Sequence, residues 1–191
     1  MPRLREVTCR IVAQMGLSCR CGFVKRWRRG RMCGMENVQT AEELLREEKG
    51  LAFATFDERD AYNVGTLLYE RGMADGCVFA VRVEFDGVVV FQALMPGTGQ
   101  ANCDWLDRKC ATVRRTHHSS LYARVQAEEG GAREPWQGDE QAYALYGGAF
   151  PLVVDGEFRG VAAVSGMPHV EDHRYLVRTL SRFADARARA L

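Results

Sequence analysis

Several signatures of membrane and nucleotide-binding proteins are missing from this 191-residue sequence. No run approaches the roughly 18 consecutive apolar residues of a transmembrane helix, and the longest uncharged stretch, 87–103, is broken by proline and glycine. The Pro-Gly-Thr-Gly segment at 96–99 lacks both the Gly-Lys-Ser/Thr ending of a phosphate loop and the GxGxxG spacing, and no GxSxG elbow occurs. A membrane span is therefore excluded, and neither nucleotide binding of the familiar types nor a serine hydrolase is supported.

The cysteines do not describe a disulfide framework. Their number, seven, is odd, and only Cys77, Cys103 and Cys110 follow residue 34. Scattered thiols of this kind are typical of proteins in a reducing compartment. We therefore expect a cytoplasmic protein.

Residues 1–34 differ sharply in charge from the rest of the chain. They carry nine basic residues and one acidic residue, whereas residues 35–191 carry 17 basic and 24 acidic residues. An acidic body does not attract nucleic acid or anionic lipid. The basic, Cys-containing arm could be a transit peptide, a nucleic-acid-binding arm or a source of thiolate ligands. We favour a disordered tail or an upstream mis-start, with translation beginning at Met35, because the charge changes sign there and a helix signal follows.

Residues 35–191 are predicted to form a single α+β domain with about five strands. A capping box at 40–43 opens a helix to Gly50, 51–56 is a short strand, and Asp57 caps a second helix to about Gly72. The remaining expected elements are hairpins 77–95 and 150–165, with turns at 86–87 and 155–156, and helices from 104 to 129 (re-capped near 119–120), 139–146 and 170–184. We expect strand 88–95 to be buried on both faces. The result is a mainly antiparallel sheet flanked by helices on its faces.

Two pairs of residues are candidates for contact with a ligand. Trp105 and Lys109, at helical i, i+4 spacing, offer an aromatic platform and a cation for an anionic ring compound, or a snorkelling lysine packed over the tryptophan. Gly147 and Gly148 permit close approach of the backbone to a ligand or a neighbouring subunit, or simply end a helix.

The four histidines offer two further possibilities. His118, in the His117-His118 pair near a helix end, could ligate haem iron or simply favour the helix dipole. His169 and His173, with Asp172 between them, could hold a metal on one helix face, although Asp172 could equally cap the helix. Since two histidines without a certain third ligand are weak support, we expect no resident metal ion.

The segment Gly147-Gly-Ala-Phe-Pro-Leu-Val-Val-Asp-Gly-Glu-Phe-Arg-Gly-Val-Ala-Ala-Val-Ser-Gly166, followed by Asp172-His173, resembles the haem-degrading domain family, which includes GlcG-like and HbpS-like proteins. Phe56-Asp57, Asp104-Trp105 with Lys109, and Ser119-Ser120 resemble a branch of small haem-degrading domain-containing proteins. The glycine loop is one residue longer here than the Gly-Gly-x-Pro pattern. The resemblance covers about residues 36–185.

The resemblance implies a three-layer sheet-and-helix domain, a homo-oligomer and, for some relatives, haem or another tetrapyrrole as ligand. His118 and His173 are then the candidate axial ligands. Our first hypothesis is a haem- or ring-binding module using Trp105, Lys109, His118, Gly147, Gly148, Asp172 and His173, with catalysis left open. The second is a non-catalytic assembly protein that binds copies of itself, and the third is a metal-assisted enzyme built on His169, Asp172 and His173.

Overall fold

Capping and turn signals in the sequence set most of the element boundaries in the computed structural model, which describes residues 39–130 and 134–189. Thr40 and Glu43 form the predicted capping box, and Asp57 caps the next helix through the main-chain N–H of Asp60. The helices of the described residues are α1 (Ala41–Gly50), α2 (Glu58–Asp75), α3 (Gln100–Thr116), α4 (Ser120–Glu129) and α5 (His169–Ala188). The interpretation of residues 1–34 lies outside the described part of the chain.

Two hairpins form one antiparallel sheet. The strands are β1 (Ala80–Phe85), β2 (Val88–Leu94), β3 (Ala149–Val154) and β4 (Glu157–Ser165), in the order β2-β1-β4-β3. Both predicted turns are confirmed, with positive φ at Asp86 and Gly87 and again at Asp155 and Gly156. The α+β class is therefore confirmed.

The described residues hold four strands, so the expectation of about five is wrong by one. The segment 51–56 makes a single parallel bridge, between Phe53 and Val154. Phe53 donates its N–H to Val153 and accepts from Asp155, at 2.9 and 2.8 Å. The chain then bends toward the α2 cap at Asp57, so no ladder can extend.

Helices cover both faces of the sheet and create two main cores. On one face, α2 and α5 bury side chains such as Leu68 and Leu176 against β1, β3 and β4. On the other face, α3 packs Leu106 and Cys110 against Val161 and Ala163 of β4. A third, smaller cluster joins α1 to α4. The predicted three-layer arrangement follows from these packings.

Strand β2 is not buried on both faces, contrary to the prediction. It is an edge strand, and Val88 and Val89 expose 62% and 48% of their surface. The charged residues of β1, Arg82 and Glu84, are buried under α3, where they pair with Asp107 and Arg114. An apolar run alone does not tell which strand will lie at the edge.

Residues 139–146 do not form the predicted helix. A single 3₁₀ turn spans Pro135–Gly138, and turns follow it. The N–H of Ala144 is bonded to the Arg108 carbonyl and the Thr112 hydroxyl of α3, at 3.2 and 3.1 Å. These bonds to another helix replace the intrahelical ones. None of the helices in the described ranges is long and apolar enough to cross a membrane.

Candidate functional site

A cavity of about 340 Å³ lies between α3 and the start of α5, beside the end of β4. This volume is within the usual range for small-molecule sites. We call it the Lys109 cavity, and its walls are formed by Asn102, Trp105, Lys109, Tyr146, Ser165, Gly166, Met167, His169 and Asp172. Three of the residues nominated from the sequence, Trp105, Lys109 and Asp172, therefore meet in one place.

Lys109 and Asp172 form a buried ion pair in the cavity wall. Lys109 Nζ lies 2.8 Å from Asp172 Oδ2, and the two side chains expose 3% and 1% of their surface. Lys109 also donates to the carbonyl of Val164, and Asp172 accepts main-chain N–H bonds from Gly166 and Met167. Burial lowers the pKa of Lys109 and raises the pKa of Asp172, because desolvation penalises both charged forms.

The ion pair with Asp172 limits the ability of Lys109 to bind an anion. Its charge is matched by Asp172, so the cavity presents a donor and an acceptor rather than the unpaired cation expected for an anionic ring. The snorkelling alternative is also wrong, because the ammonium group points inward and is buried.

Gly147 and Gly148 let the backbone pass close to this pair. Gly148 has φ +116°, and a Cβ there would lie 2.7 Å from both Lys109 Nζ and the Val164 oxygen. A Cβ on Gly147 would lie 2.5 Å from the carbonyl oxygen of His169. The glycines thus accommodate the chain's own α3 and α5, and since the 139–146 helix is absent, they do not cap it.

A second cavity of about 310 Å³ lies on the other side of Trp105 and Tyr146. These two rings meet edge to face with centroids 5.3 Å apart, and both line both cavities. The Arg108 guanidinium stacks 4.1 Å from the Trp105 centroid, and that of Arg124 lies 4.9 Å from the centroid of Tyr146. We call this the arginine cavity. Its other walls come from Ala127, Glu128, Gln137, Glu140, Tyr143 and Leu145.

The two arginines of the arginine cavity, Arg108 and Arg124, have partners of different charge. Arg124 forms an ion pair with Glu128 at 3.0 Å. Arg108 donates to the main-chain oxygens of Asp104 and Glu140. Because main-chain oxygens carry no full charge, Arg108 supplies positive charge beside an aromatic wall.

His118 and His173 do not line either cavity. Two consecutive glutamates of α1 bind them: Glu48 Oε2 is 2.7 Å from His118 Nδ1, and Glu47 Oε1 is 2.8 Å from His173 Nε2. The His118 side chain is 40% exposed, whereas that of His173 is fully buried. His173 Nδ1 has no hydrogen-bond partner among the described residues. His117 ends α3 with φ +57°, so the pair lies just beyond the helix.

The residues proposed for a metal-assisted enzyme do not converge. Asp172 faces Lys109, His173 faces Glu47, and the imidazole of His169 packs against Tyr146. Within residues 39–130 and 134–189, no group of three or more His, Cys, Asp or Glu side chains could hold a metal ion. The structure therefore does not support this hypothesis.

Sequence reasoning missed Tyr146, Arg108, Arg124, Glu47 and Glu48. Two local signals existed, because Tyr146 directly precedes the glycine pair and Arg108 stands three residues after Trp105 on α3. The glutamates gave no signal, since they are 70 and 126 residues from the histidines that they bind.

Comparison with known proteins identifies the family to which the sequence of this chain is similar. The model for haem degrading proteins of the HbpS-like family matches residues 56–181. A UPF0303 protein from Streptomyces coelicolor is 36% identical over 147 residues, which cover 75% of this chain and 93% of that protein. The crystal structure of Ybr137w protein is similar with a TM-score of 0.70 and 27% identity, over 78% of this chain and 89% of that one.

A further solved structure, of a PduOC:heme complex, has a TM-score of 0.59 and 16% identity, and covers 66% of this chain and 94% of that one. At this identity the likeness shows the fold alone. The family match includes all residues that line the two cavities, and it confirms the resemblance found in the sequence motifs. This chain belongs to the HbpS-like family of haem-degrading proteins.

Proposed function

We propose that this protein binds haem or a related planar ring compound against the wall formed by Trp105 and Tyr146. The observation that carries the proposal is the pair of arginines stacked on these two rings, at 4.1 and 4.9 Å. Aromatic faces favour flat apolar ligands, and a guanidinium group binds carboxylates well. The arrangement suits a ring that carries acidic substituents, and family membership supports a haem-related ligand.

The described residues fit the edge of a haem better than its iron. Arg108 would hold a carboxylate, Arg124 would do so in exchange for its pair with Glu128, and Trp105 with Tyr146 would pack on the ring. Side chains of the types that ligate haem iron are His169 and Met167 in the Lys109 cavity, Tyr143 in the arginine cavity, and Tyr146 between the two. Haem, when bound, supplies the redox chemistry of its own iron.

A haem titration of the full chain, followed by the Soret band, tests the proposal. We expect saturation at one haem per chain. Arg108→Ala and Arg124→Ala should each weaken binding about tenfold, corresponding to about 1.4 kcal/mol. The matched control is Arg178→Ala, because Arg178 is exposed and stacks on Tyr175, away from both cavities. Absence of a saturable band, or equal effects of all three variants, would refute the proposal.

The axial-ligand hypothesis is tested in the same titration. Since His118 and His173 lie outside both cavities, and His169 does not line the cavity that holds Arg108 and Arg124, we expect His118→Ala and His169→Ala both to retain haem affinity. If His118→Ala abolishes the band and His169→Ala does not, then haem binds at the α3–α4 junction instead.

A specific observation also favours the second hypothesis, self-assembly. The edge strand β2 contains no charged residue, and Val88, Val89 and Leu94 expose 62%, 48% and 41% of their surface. Natural edge strands are usually protected by charge or by a covering element. We infer that two copies of this chain pair through β2, because antiparallel pairing of identical strands gives a closed twofold dimer.

Sedimentation velocity of the full chain tests this inference. Val89→Lys should shift the sedimentation coefficient toward that of the monomer at micromolar concentration. Gln126→Lys adds the same charge to an exposed position of α4 and should leave the distribution unchanged. A monomeric wild-type protein, or a Val89→Lys variant that assembles as the wild type does, would contradict pairing through β2.

A further inference from the structure

Lysine is rare in this chain, and its placement is uneven. Of the 26 basic residues, only Lys25, Lys49 and Lys109 are lysines, and the rest are arginines. Lys49 is exposed on α1, whereas Lys109 is buried in the wall of a cavity. An ion pair by itself is served as well by arginine, which binds carboxylates through two parallel hydrogen bonds. A buried lysine beside a cavity therefore indicates a need for an amine.

We propose that Lys109 forms a covalent imine with the carbonyl group of an aromatic aldehyde or ketone that enters the Lys109 cavity. This inference goes beyond haem binding and does not rest on it. Trp105 and Tyr146 supply the aromatic walls, and the balanced charge of Lys109 and Asp172 suits a neutral carbonyl compound better than an anion.

The surroundings of Lys109 Nζ fit this chemistry. Two acceptors contact the nitrogen among the described residues, Asp172 Oδ2 at 2.8 Å and the Val164 oxygen at 3.2 Å. A neutral amine can use its two hydrogens for these bonds and keep its lone pair for a carbonyl carbon. Burial favours the neutral amine, because it lowers the pKa of Lys109 and raises the pKa of Asp172. Both shifts favour transfer of the proton from Lys109 to the carboxylate. Lysines activated by desolvation are the usual imine-forming nucleophiles.

The reaction balances with these two residues alone. The proton of Lys109 moves to Asp172, and the neutral nitrogen then forms a bond to the carbonyl carbon. Asp172 gives its proton to the carbonyl oxygen and takes one from the nitrogen, which leaves a carbinolamine. Asp172 next protonates the hydroxyl group, which departs as water while the nitrogen lone pair forms the C=N bond. The remaining N–H proton then returns to Asp172 and leaves the neutral imine. No oxidant or reductant is required.

Trapping with benzaldehyde and sodium cyanoborohydride at pH 7, followed by peptide mapping, tests the proposal on the wild-type full chain. The reductant converts the imine into a stable secondary amine, and the chain's small number of lysines makes assignment direct. We expect Lys109 to be labelled about ten times faster than Lys49, because Trp105 and Tyr146 hold the aldehyde beside an amine whose pKa is lowered by burial. Labelling of Lys109 no faster than that of Lys49 would overturn the proposal.

Two variants check the assignment. Lys109→Arg should retain the ion pair and lose the fast labelling, and Lys49→Arg should lose only the slow background. Asp172→Asn should slow labelling of Lys109, because the carboxylate no longer receives the proton; equal labelling in this variant would remove Asp172 from the step. The Soret titration is an independent readout, so failure of imine formation leaves haem binding tested separately.

Discussion

Removal of the Lys109 cation leaves a buried carboxylate without its partner, and this can be tested with Lys109→Met. Methionine has a similar length and no charge, so the loss falls mainly on Asp172. Both side chains are almost completely buried, so solvent cannot replace the ammonium group. Breaking a buried pair by removing one partner costs about 3–5 kcal/mol. For a chain of this length the melting temperature should fall by roughly 10 °C.

The free energy of unfolding that is lost in Lys109→Met should increase with pH. Burial raises the pKa of Asp172 in the folded protein, and without Lys109 the pKa rises further. Below the pKa of the unfolded state, the carboxyl group is protonated in both states and imposes no penalty. The cost of burying the unpaired Asp172 carboxylate grows as the pH rises from the unfolded pKa toward the folded pKa. The free energy of unfolding lost relative to wild type should therefore be larger at pH 8 than at pH 5.

Urea unfolding of wild type and variant at the two pH values, followed by far-UV circular dichroism, measures this. The double variant Lys109→Met, Asp172→Asn is the control. Its neutral amide keeps an acceptor for the N–H of Met167, so much of the lost stability should return. A loss below 1 kcal/mol at pH 8, or one that is equal at pH 5 and pH 8, would refute the reasoning.

Three further predictions concern positions whose contacts are equally specific. Gly148→Ala should lower the free energy of unfolding by about 2–4 kcal/mol, measured by urea unfolding, because its φ is +116° and its Cβ would meet Lys109 Nζ. Glu47→Ala should lower it by about 1–3 kcal/mol in the same assay, because the buried ring of His173 loses its partner. Asp57→Asn should make the free energy of unfolding less sensitive to acid between pH 5 and pH 3. The hydrogen bond from the Asp60 main chain lowers the pKa of Asp57, so the stabilisation by the Asp57 carboxylate is present above the unfolded pKa and is lost as the pH falls through the folded pKa. Asparagine caps the helix without titrating.

The first two of these predictions have matched control variants, and the third is compared with the wild type. Gly50→Ala places a methyl group where no atom lies within 4 Å, so it should be neutral or slightly stabilising. Glu42→Ala removes a carboxylate whose side chain is 84% exposed and should change little. If Gly148→Ala matches Gly50→Ala, or Glu47→Ala matches Glu42→Ala, the contacts described for the buried positions do not contribute as stated. If Asp57→Asn retains the full acid sensitivity of the wild type, the cap does not cause it.

The failures of prediction share a cause. The segment 51–56 was predicted to be a strand and β2 a strand buried on both faces, yet the first makes one bridge and the second lies at the sheet edge. Strand order depends on which hairpins meet, and this information is not carried by the strand's own residues. The 139–146 segment also has helix signals, but Ala144 is bonded to α3 instead.

The sequence by itself determined the features that depend on neighbours a few residues apart. The helix caps at Thr40 and Asp57 and the turns at Asp86-Gly87 and Asp155-Gly156 are of this kind, and the family was evident from motifs between 147 and 173. One cavity gathers Trp105, Lys109 and Asp172, and their role in binding a ligand stays a prediction.

The tertiary structure alone decided what those residues do to one another. Lys109 and Asp172 are 63 residues apart, and only the packing of α3 against α5 makes them a buried pair. The same packing removes the free cation that Lys109 was expected to provide. His118 and His173 are bound by adjacent glutamates of α1 in the same way. Spacing along the chain fixes local geometry, whereas desolvation and charge pairing depend on contacts between distant segments, which the fold creates.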